Sequence, residues 1–238
     1  MRVLIIGSGP NALEARDWDG FDAVVAINNA WRIRPDWTHH IHPEDFPTDR
    51  HPPHVDASQT IVTYRDYVPI QNGFGGFVYA GGTMAFTAGY WALGHFNPRL
   101  IAFIGCDMTY AATGATHFYG TGTADPLRDD VTLRDLTAKS ARLMVTGAQR
   151  GCAMVNLSRA DQSRLILPRA APHDTPPPRP FDAGAVEQAR DLERALNYTT
   201  PDGRYWQDTG HIDVDALDQL DALWMRAASA GLSPDGQG

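Results

Sequence analysis

The sequence predicts an α/β protein with a Rossmann-like, doubly wound and mostly parallel sheet, a lid insertion and a helical C-terminal extension. Short, uninterrupted apolar runs of the kind buried on both faces of a parallel sheet alternate with segments of helical periodicity. The first apolar run leads directly into the glycine turn Gly7-Ser8-Gly9-Pro10. With 238 residues, 43% of them hydrophobic, the chain suits one such domain with an appendage better than two full domains.

Six short runs are the strand candidates. Residues 3–6 are Val-Leu-Ile-Ile, and Ala23–Ile27 repeats that apolar pattern after a short helical piece at residues 12–16. The other candidates are residues 39–42, residues 60–64, Leu100–Ile104 and residues 153–157. Strands that alternate with helices predict parallel βαβ units, whose ligand site lies at the carboxyl ends of the strands.

Two amphipathic helices fall between these strands. In residues 83–94 the apolar positions Met84, Ala88, Trp91 and Ala92 follow helical spacing. Leu133, Leu136, Leu143 and Met144 form a second apolar stripe, which ends before Gly147.

A long segment follows the strand that ends at Ile104. Residues 108–132 are rich in glycine and threonine, show little periodicity and contain three aromatic residues, Tyr110, Phe118 and Tyr119. A loop of this length that leaves a strand end is usually a functional lid or a disordered excursion, and the aromatic residues favour a lid.

The composition of the chain changes near residue 170. Prolines mark a stiff connector from Pro168 onward, and two further amphipathic helices follow, through Val186 to Leu196 and through Val214 to Trp224. We therefore divide the chain into a nucleotide-binding domain, residues 1–170, and a proline-rich connector with an acidic helical tail, residues 171–238. The tail helices would pack either on the body or on a second copy in a homo-oligomer.

The charge distribution excludes some partners. The net charge is −8; residues 171–238 hold 5 basic and 12 acidic residues, and no dense basic run occurs, so nucleic-acid binding is not expected. Cys106 and Cys152, each in an apolar context, predict buried thiols in a reducing compartment. Because no signal peptide or apolar run of about 20 residues occurs, we expect a cytoplasmic protein without a transmembrane segment.

The glycine turn has several interpretations. Gly7 and Gly9, with Ala12 three positions on, satisfy a relaxed form of the dinucleotide fingerprint. A dinucleotide site also wants an acidic residue about 20 positions later, where this chain has Asn28-Asn29. The glycines could also form a simple tight turn. An anion-binding turn of another lineage is the favoured interpretation.

Metal, lysine and hydrolase chemistry are poorly supported. Histidines cluster around residues 39–54, but in a strand His40 and His42 point to one face and His39 to the other, so we expect no metal site. His51-Pro-Pro-His54 suggests a solvated loop. Lys139, the only lysine, lies mid-helix, which disfavours a Schiff base or a P-loop. No Gly-x-Ser-x-Gly elbow follows a strand.

Motif order gives a resemblance. The turn at residues 7–13, Gly-Ser-Gly-Pro-Asn-Ala-Leu, and the strand end Asn28-Asn29 resemble the start of the glycosyltransferase family 42 sialyltransferases. Residues 82–94 and the strand end Gly105-Cys106-Asp107 resemble that family's T-S-G helix and G-x-D strand end. Residues 116–120, Thr-His-Phe-Tyr-Gly, resemble its S-H-Y-x-G segment. The resemblance covers about residues 3–170 in patches, and a related group similar to archaeal pterin diphosphokinases shares part of it.

The resemblance implies metal-independent transfer of a sugar from a nucleotide-activated, CMP-sugar-like donor to a glycan acceptor, with no further cofactor. It implies that the glycine turn holds the donor phosphate and that Asn28 holds its ribose or phosphate. The implied donor site comprises Gly7, Ser8, Gly9, Pro10, Asn28, Thr83, Gly105 and Asp107.

The chain differs from that family at the position of the general base, the residue that removes the acceptor proton. The family's catalytic histidine corresponds to Thr121, whose hydroxyl cannot replace an imidazole that titrates near neutrality. His117 or His42 would then remove the acceptor proton, and Tyr110 or Tyr119 would stabilise the departing nucleotide.

Two alternatives remain open. One is a diphosphokinase that uses a nucleoside triphosphate and magnesium held by Asp107 with Glu44 and Asp45, the acids evident at strand ends. The other is a catalytically degenerate protein that binds a nucleotide or glycan without turning it over, as Thr121 suggests.

Overall fold

A computed structural model describes residues 1–110, 114–121 and 129–230 of the chain. Its centre is a six-stranded parallel sheet in the order β4-β3-β2-β1-β5-β6. The strands are β1 (Arg2–Ile6), β2 (Ala23–Ile27), β3 (His39–Ile41), β4 (Thr60–Val62), β5 (Leu100–Ile104) and β6 (Ala153–Asn156). The six predicted strands and the Rossmann-like fold class are therefore confirmed.

Six α-helices accompany the sheet in the described residues. They are α1 (Tyr64–Gly73), α2 (Phe77–Ala80), α3 (Met84–Phe96), α4 (Leu136–Gln149), α5 (Ala183–Leu196) and α6 (Val214–Ser229). The four predicted helices correspond to α3, α4, α5 and α6, whereas α1 and α2 were not predicted. The predicted strand at residues 60–64 ends early because Thr63 and Asp66 form a capping box that starts α1.

The two faces of the sheet are covered differently. Along β1 the side chains alternate, so that Val3 and Ile5 face the α-helices while Leu4 and Ile6 face the other layer. That second layer contains the 3₁₀ helices Pro10–Asp17 and Asn28–Arg32. The helical piece predicted at residues 12–16 is thus a 3₁₀ helix, in which Ala12 and Ala15, one three-residue turn apart, both pack on the sheet.

The C-terminal extension packs on the body of the protein. Helices α5 and α6 contact each other, α6 also lies against α4, and their apolar side chains belong to the main core. Trp224 of α6 is completely buried there. The extension therefore completes the hydrophobic layer on the helical side of the sheet.

Buried charge pairs hold this extension in place. The Arg142 Nε donates to Glu193 Oε1 over 2.7 Å, and Arg190 and the Trp224 indole also donate to this carboxylate. Burial alone would raise the pKa of Glu193, but Arg142 and Arg190 lower it below its usual range. Lys139 pairs with buried Asp221 over 2.7 Å, so the single lysine has a structural role.

Two further expectations concern the interior and membranes. Cys106 and Cys152 are both free and buried, as predicted. Among the helices that the structure describes, none combines the length and the apolar character needed to cross a bilayer.

We predict that Glu193→Gln destabilises the protein by about 3–5 kcal/mol, because it leaves Arg142 buried without its counter-charge. Urea unfolding at neutral pH measures the change. Because the pKa of Glu193 is lowered in the folded state, its contribution is present at neutral pH and is lost as the pH falls below the ordinary carboxyl range.

The matched control is Asp218→Asn, which removes the exposed ion pair with Arg134 and should change stability little. Equal losses in the two variants would show that the buried network does not hold the extension.

Candidate functional site

The candidate site lies where the strand order reverses. Strands β2, β3 and β4 extend to one side of β1, whereas β5 and β6 lie on the other side. A cavity of about 720 Å³ opens at the carboxyl ends of β1 and β5. This is the position at which open α/β sheets bind their ligands.

Most of the predicted site residues line this cavity. Those that do are Gly7, Ser8, Gly9, Pro10, Asn28, Thr83, Gly105, Asp107, Tyr110, His117 and Tyr119. His42 is not among the lining residues. The fold therefore brings the predicted donor-site residues together with one of the two histidines.

The glycine turn is packed against the end of β5. The Gly7 N–H donates to Ile104 O over 2.8 Å, and the Gly9 N–H donates to Gly105 O over 2.9 Å. A Cβ atom on Gly7 would lie 2.3 Å from Gly105 O, so no larger residue fits there. Gly105 itself adopts φ +69°, a conformation that favours glycine.

This packing changes the expected role of the turn. We expected Gly7 and Gly9 to hold a phosphate, but their amides already bond to the carbonyls of Ile104 and Gly105. Of the three amides in Gly7-Ser8-Gly9, only that of Ser8 has no hydrogen-bond acceptor within the described residues. The glycines thus serve close strand packing, and the turn offers a ligand the Ser8 amide.

A second set of amides faces the cavity from α3. Thr83 caps this helix, with its Oγ1 accepting from the Phe86 N–H over 3.3 Å, and Thr83, Met84 and Ala85 all line the cavity. The first N–H groups of a helix have no partner inside the helix, and its dipole favours an anion there. The first turn of α3 therefore brings amides without a partner inside the helix to the border of the cavity.

Asp107 ties three strand ends together. Its Oδ2 accepts from Asn11 Nδ2 over 2.9 Å and from Ser158 Oγ over 2.6 Å, and its Oδ1 accepts from Asn156 Nδ2 over 3.2 Å. The residue is only 8% exposed. The carboxylate, which we expected to contact the nucleotide or sugar, is thus largely occupied in fixing the turn after β1 to the ends of β5 and β6.

Asn28 has an unusual backbone at the end of β2. It adopts φ +52°, in the left-handed region that asparagine tolerates better than most residues. Its side-chain Oδ1 is buried and has no hydrogen-bond partner within the described residues. Such an orphaned acceptor suits a ligand hydroxyl.

The aromatic segment lies over the glycine turn. The Phe118 N–H donates to Ser8 O over 3.0 Å, and the His117 and Tyr119 rings are stacked with centroids 5.0 Å apart. The Tyr110 ring lies 6.0 Å from that of His117. These parts of the predicted lid at 108–132 therefore border the cavity, while residues 111–113 and 122–128 lie outside the described residues.

His117 is suited to accept a proton. Burial lowers its pKa, so the imidazole is neutral at neutral pH. Its Nδ1 lies 2.9 Å from Thr116 Oγ1, which orients the ring. Thr121, at the position implied for a histidine base, donates to Gly114 O over 3.1 Å and so has a structural role.

His42 lies in an aromatic cluster beside the cavity. Its ring packs 4.6 Å from that of His51 and 5.4 Å from that of Phe46. Its Nδ1 lies 2.8 Å from Pro43 O, and burial together with His51 lowers its pKa. The expectation that His42 faces the cleft is thus not met, because the chain turns at Pro43 and folds back over the ring.

The remaining histidines of this region also differ from expectation. His51, expected in a solvated loop, is part of the cluster, whereas His54 is exposed and pairs with Asp56. In the part of the chain that the structure describes, no group of three or more His, Cys, Asp or Glu residues has the arrangement of a metal site.

Several polar lining residues were not predicted. They include Asn11, Glu14, Arg159 and Gln162. Arg159 is the one cation among the lining residues. Arg159 follows the predicted strand at residues 153–157, so its position at a strand end is the sequence signal that indicates it.

Comparison with known proteins gives no relative: no family model matches the chain, and no curated protein or solved structure matches it significantly. The function must therefore be argued from the cavity and the residues that border it.

We predict that Gly7→Ala destabilises the protein by about 1–3 kcal/mol, because the added methyl group meets the Gly105 carbonyl. Thermal or urea unfolding measures the loss. Gly73→Ala is the control: its Cβ would meet nothing within 4 Å at the end of α1, so stability should stay the same or rise slightly. A Gly7→Ala variant as stable as the wild type would contradict the proposed packing role.

Proposed function

We propose that this protein binds a nucleotide-activated, CMP-sugar-like donor and transfers its sugar to a glycan acceptor without a metal ion. The observation that carries the proposal is the cavity at the β1/β5 switch point, where Asn28, the α3 N-terminus and the His117–Tyr119 pair meet. This combination offers a hydroxyl acceptor, an anion site and a base in one space.

The dimensions of the cavity support a ligand of this size. Its lining comes from residues that follow β2, β1, β5 and β6, four adjacent strands. Adjacent strands are about 4.8 Å apart, so the strand ends span roughly 14 Å. A volume of 720 Å³ is within the range of about 300–1,000 Å³ seen for small-molecule sites.

The donor phosphate would lie between α3 and the aromatic segment. The first-turn amides of Met84 and Ala85 and the Ser8 amide would donate to its oxygens. Hydroxyl groups of Tyr110 and Tyr119 would add donors as negative charge develops on the leaving nucleotide. Asn28 would accept a hydrogen bond from a hydroxyl of the ribose.

In the transfer step, an acceptor hydroxyl oxygen attacks the anomeric carbon of the donor sugar. The bond from that carbon to the phosphate oxygen breaks, and its electron pair leaves with the nucleotide. His117 takes the hydroxyl proton, and its lowered pKa leaves it neutral and ready to do so.

Metal independence is supported by the carboxylates of the site. Among the described residues, Asp107 and Glu14 are the carboxylates that line the cavity, and Asp107 is engaged by Asn11, Ser158 and Asn156. Glu44 pairs with Arg204 over 3.6 Å and does not line it. A magnesium-dependent diphosphokinase, which needs free carboxylates, is therefore the less supported alternative.

A second candidate function is binding without turnover. The observation that favours it is Thr121, which stands at the implied base position and bonds to Gly114 O. If His117 does not reach the acceptor, the cavity would still bind a nucleotide or its sugar conjugate.

A thermal-shift panel of CMP, UDP, GDP and ATP at millimolar concentration, with and without magnesium, tests the proposal. We expect CMP to protect the protein equally with and without magnesium, because the proposed phosphate donors are amides and hydroxyls. A ligand at 100 times its Kd stabilises a protein by about 2.7 kcal/mol, which is readily measured. Protection by ATP only with magnesium would support the diphosphokinase, and no protection by any nucleotide would refute nucleotide binding.

We predict that His117→Gln lowers the transfer rate by about 10²–10⁴-fold while nucleotide affinity changes little, because general-base catalysis contributes that much. Because the pKa of His117 is lowered, the wild-type rate should rise with pH through a value below 6.5 and then level off.

The control is His54→Gln, which changes an exposed histidine that does not line the cavity. If His117→Gln hydrolyses or transfers the donor as fast as the wild type does, His117 is not the base. Nucleotide binding with no turnover by the wild type would favour the binding protein.

A further inference from the structure

His40 contacts the backbone of Asn28, one of the residues that line the cavity. It lies in the middle of β3, is completely buried, and does not line the cavity. Its Nε2 lies 2.7 Å from the backbone oxygen of Asn28. A carbonyl oxygen only accepts, so Nε2 carries the proton and Nδ1 carries the lone pair.

The sheet register explains how His40 reaches Asn28. His40 is paired with Ala26 of the neighbouring strand, two residues before Asn28. Ala26 has a small side chain and is completely buried, which leaves room for an imidazole that extends toward the end of β2. Strand β3 therefore supplies a hydrogen-bond donor, His40, to the Asn28 carbonyl, which lies directly after the end of β2.

The bond constrains a backbone that would otherwise be unfavourable. Asn28 has φ +52°, in the left-handed region that non-glycine residues adopt uncommonly. Such a conformation persists when its surroundings fix it. The His40 bond is one such restraint, and it holds the residue whose side-chain oxygen is buried without a partner.

The surroundings of His40 keep its ring fixed and uncharged. Its neighbours are the rings of Trp37, His42, Phe46 and His51, with centroids 5.1–6.3 Å away. Burial lowers the pKa of His40 to about 4, and His42 and His51 add to this effect. At neutral pH the ring therefore has one N–H, and the Asn28 carbonyl receives it.

We propose that His40 is a positioning residue of the nucleotide site, which fixes the Asn28 backbone so that the Asn28 carboxamide oxygen accepts a hydrogen bond from a sugar hydroxyl of the ligand. The proposal rests on the proposed nucleotide binding, and it assigns a role to a residue that does not itself touch the ligand. It follows that His40 acts on affinity only through Asn28.

A double-mutant cycle tests this dependence. We expect His40→Phe, which keeps a ring but removes the donor, to raise the Kd of CMP about tenfold, the effect of one hydrogen bond. Asn28→Ala should raise it to a similar extent, and the double variant should bind no more weakly than Asn28→Ala alone. Losses that multiply in the double variant, or an unchanged Kd in His40→Phe, would overturn the proposal.

Two further variants separate positioning from general packing. His40→Gln retains an N–H donor and should recover part of the affinity that His40→Phe loses. His39→Phe changes the opposite face of β3, where His39 packs on Trp91 and Phe96, and should leave the Kd of CMP unchanged. A similar loss of affinity in His39→Phe would point to strand packing instead.

Imidazole ¹⁵N NMR of the unliganded protein gives a readout that does not depend on nucleotide binding. We expect the His40 Nε2–H tautomer, and we expect His40→Phe to shift the Asn28 and Asn29 backbone resonances while His39→Phe does not. An Nδ1–H tautomer would refute the inference even if CMP binds. If CMP does not bind, the proposed function is wrong. The expected NMR result would in that case still show that His40 fixes the Asn28 backbone.

Discussion

The site depends on the contact between the turn after β1 and the end of β5. Gly7 and Gly9 approach the β5 carbonyls so closely that two hydrogen bonds form and no side chain fits at Gly7. This approach sets where Ser8 lies, and Ser8 O in turn receives the Phe118 amide of the aromatic segment. Three backbone hydrogen bonds therefore fix the glycine turn and join the aromatic segment to it, and Asp107 adds a side-chain bond to Asn11.

The same contact determines which backbone amides remain available to a ligand, because it occupies those of Gly7 and Gly9. In a dinucleotide fold the glycine turn and the helix that follows it hold the phosphate. Here the two glycine amides are occupied, and the following element is a 3₁₀ helix that begins with Pro10, which has no N–H. The α3 N-terminus, on the other side of the sheet, offers a regular helix of 13 residues instead. A phosphate in this cavity is therefore expected nearer Thr83 than Pro10.

The sequence allowed the sheet, and the grouping of most of the selected strand-end residues at one cavity, to be predicted, because both depend on local patterns. Ala23–Ile27 and Leu100–Ile104 were correctly bounded, since a fully buried strand is a continuous apolar run between turns. Helix α1 was missed because Pro69 lies inside it, and a proline in the sequence normally indicates the end of a helix. The location of His42 and the role of His40 depend on how the chain after Pro43 folds back, and on a bond between neighbouring strands. Neither the fold-back nor that bond has a local sequence signal.

The C-terminal extension also contributes to the geometry of the cavity. The Tyr205 hydroxyl donates to Asp130 Oδ2 over 2.9 Å, and the Thr132 hydroxyl donates to Asp130 Oδ1 over 2.7 Å. Thr132 Oγ1 in turn accepts from the Gly82 N–H over 3.0 Å, directly before the helix cap Thr83. Because the extension is held to α4 by buried ion pairs, this chain of hydrogen bonds connects the core of the protein to the start of α3. The tail that composition alone marked as an appendage is thus linked by hydrogen bonds to the start of α3, which borders the cavity.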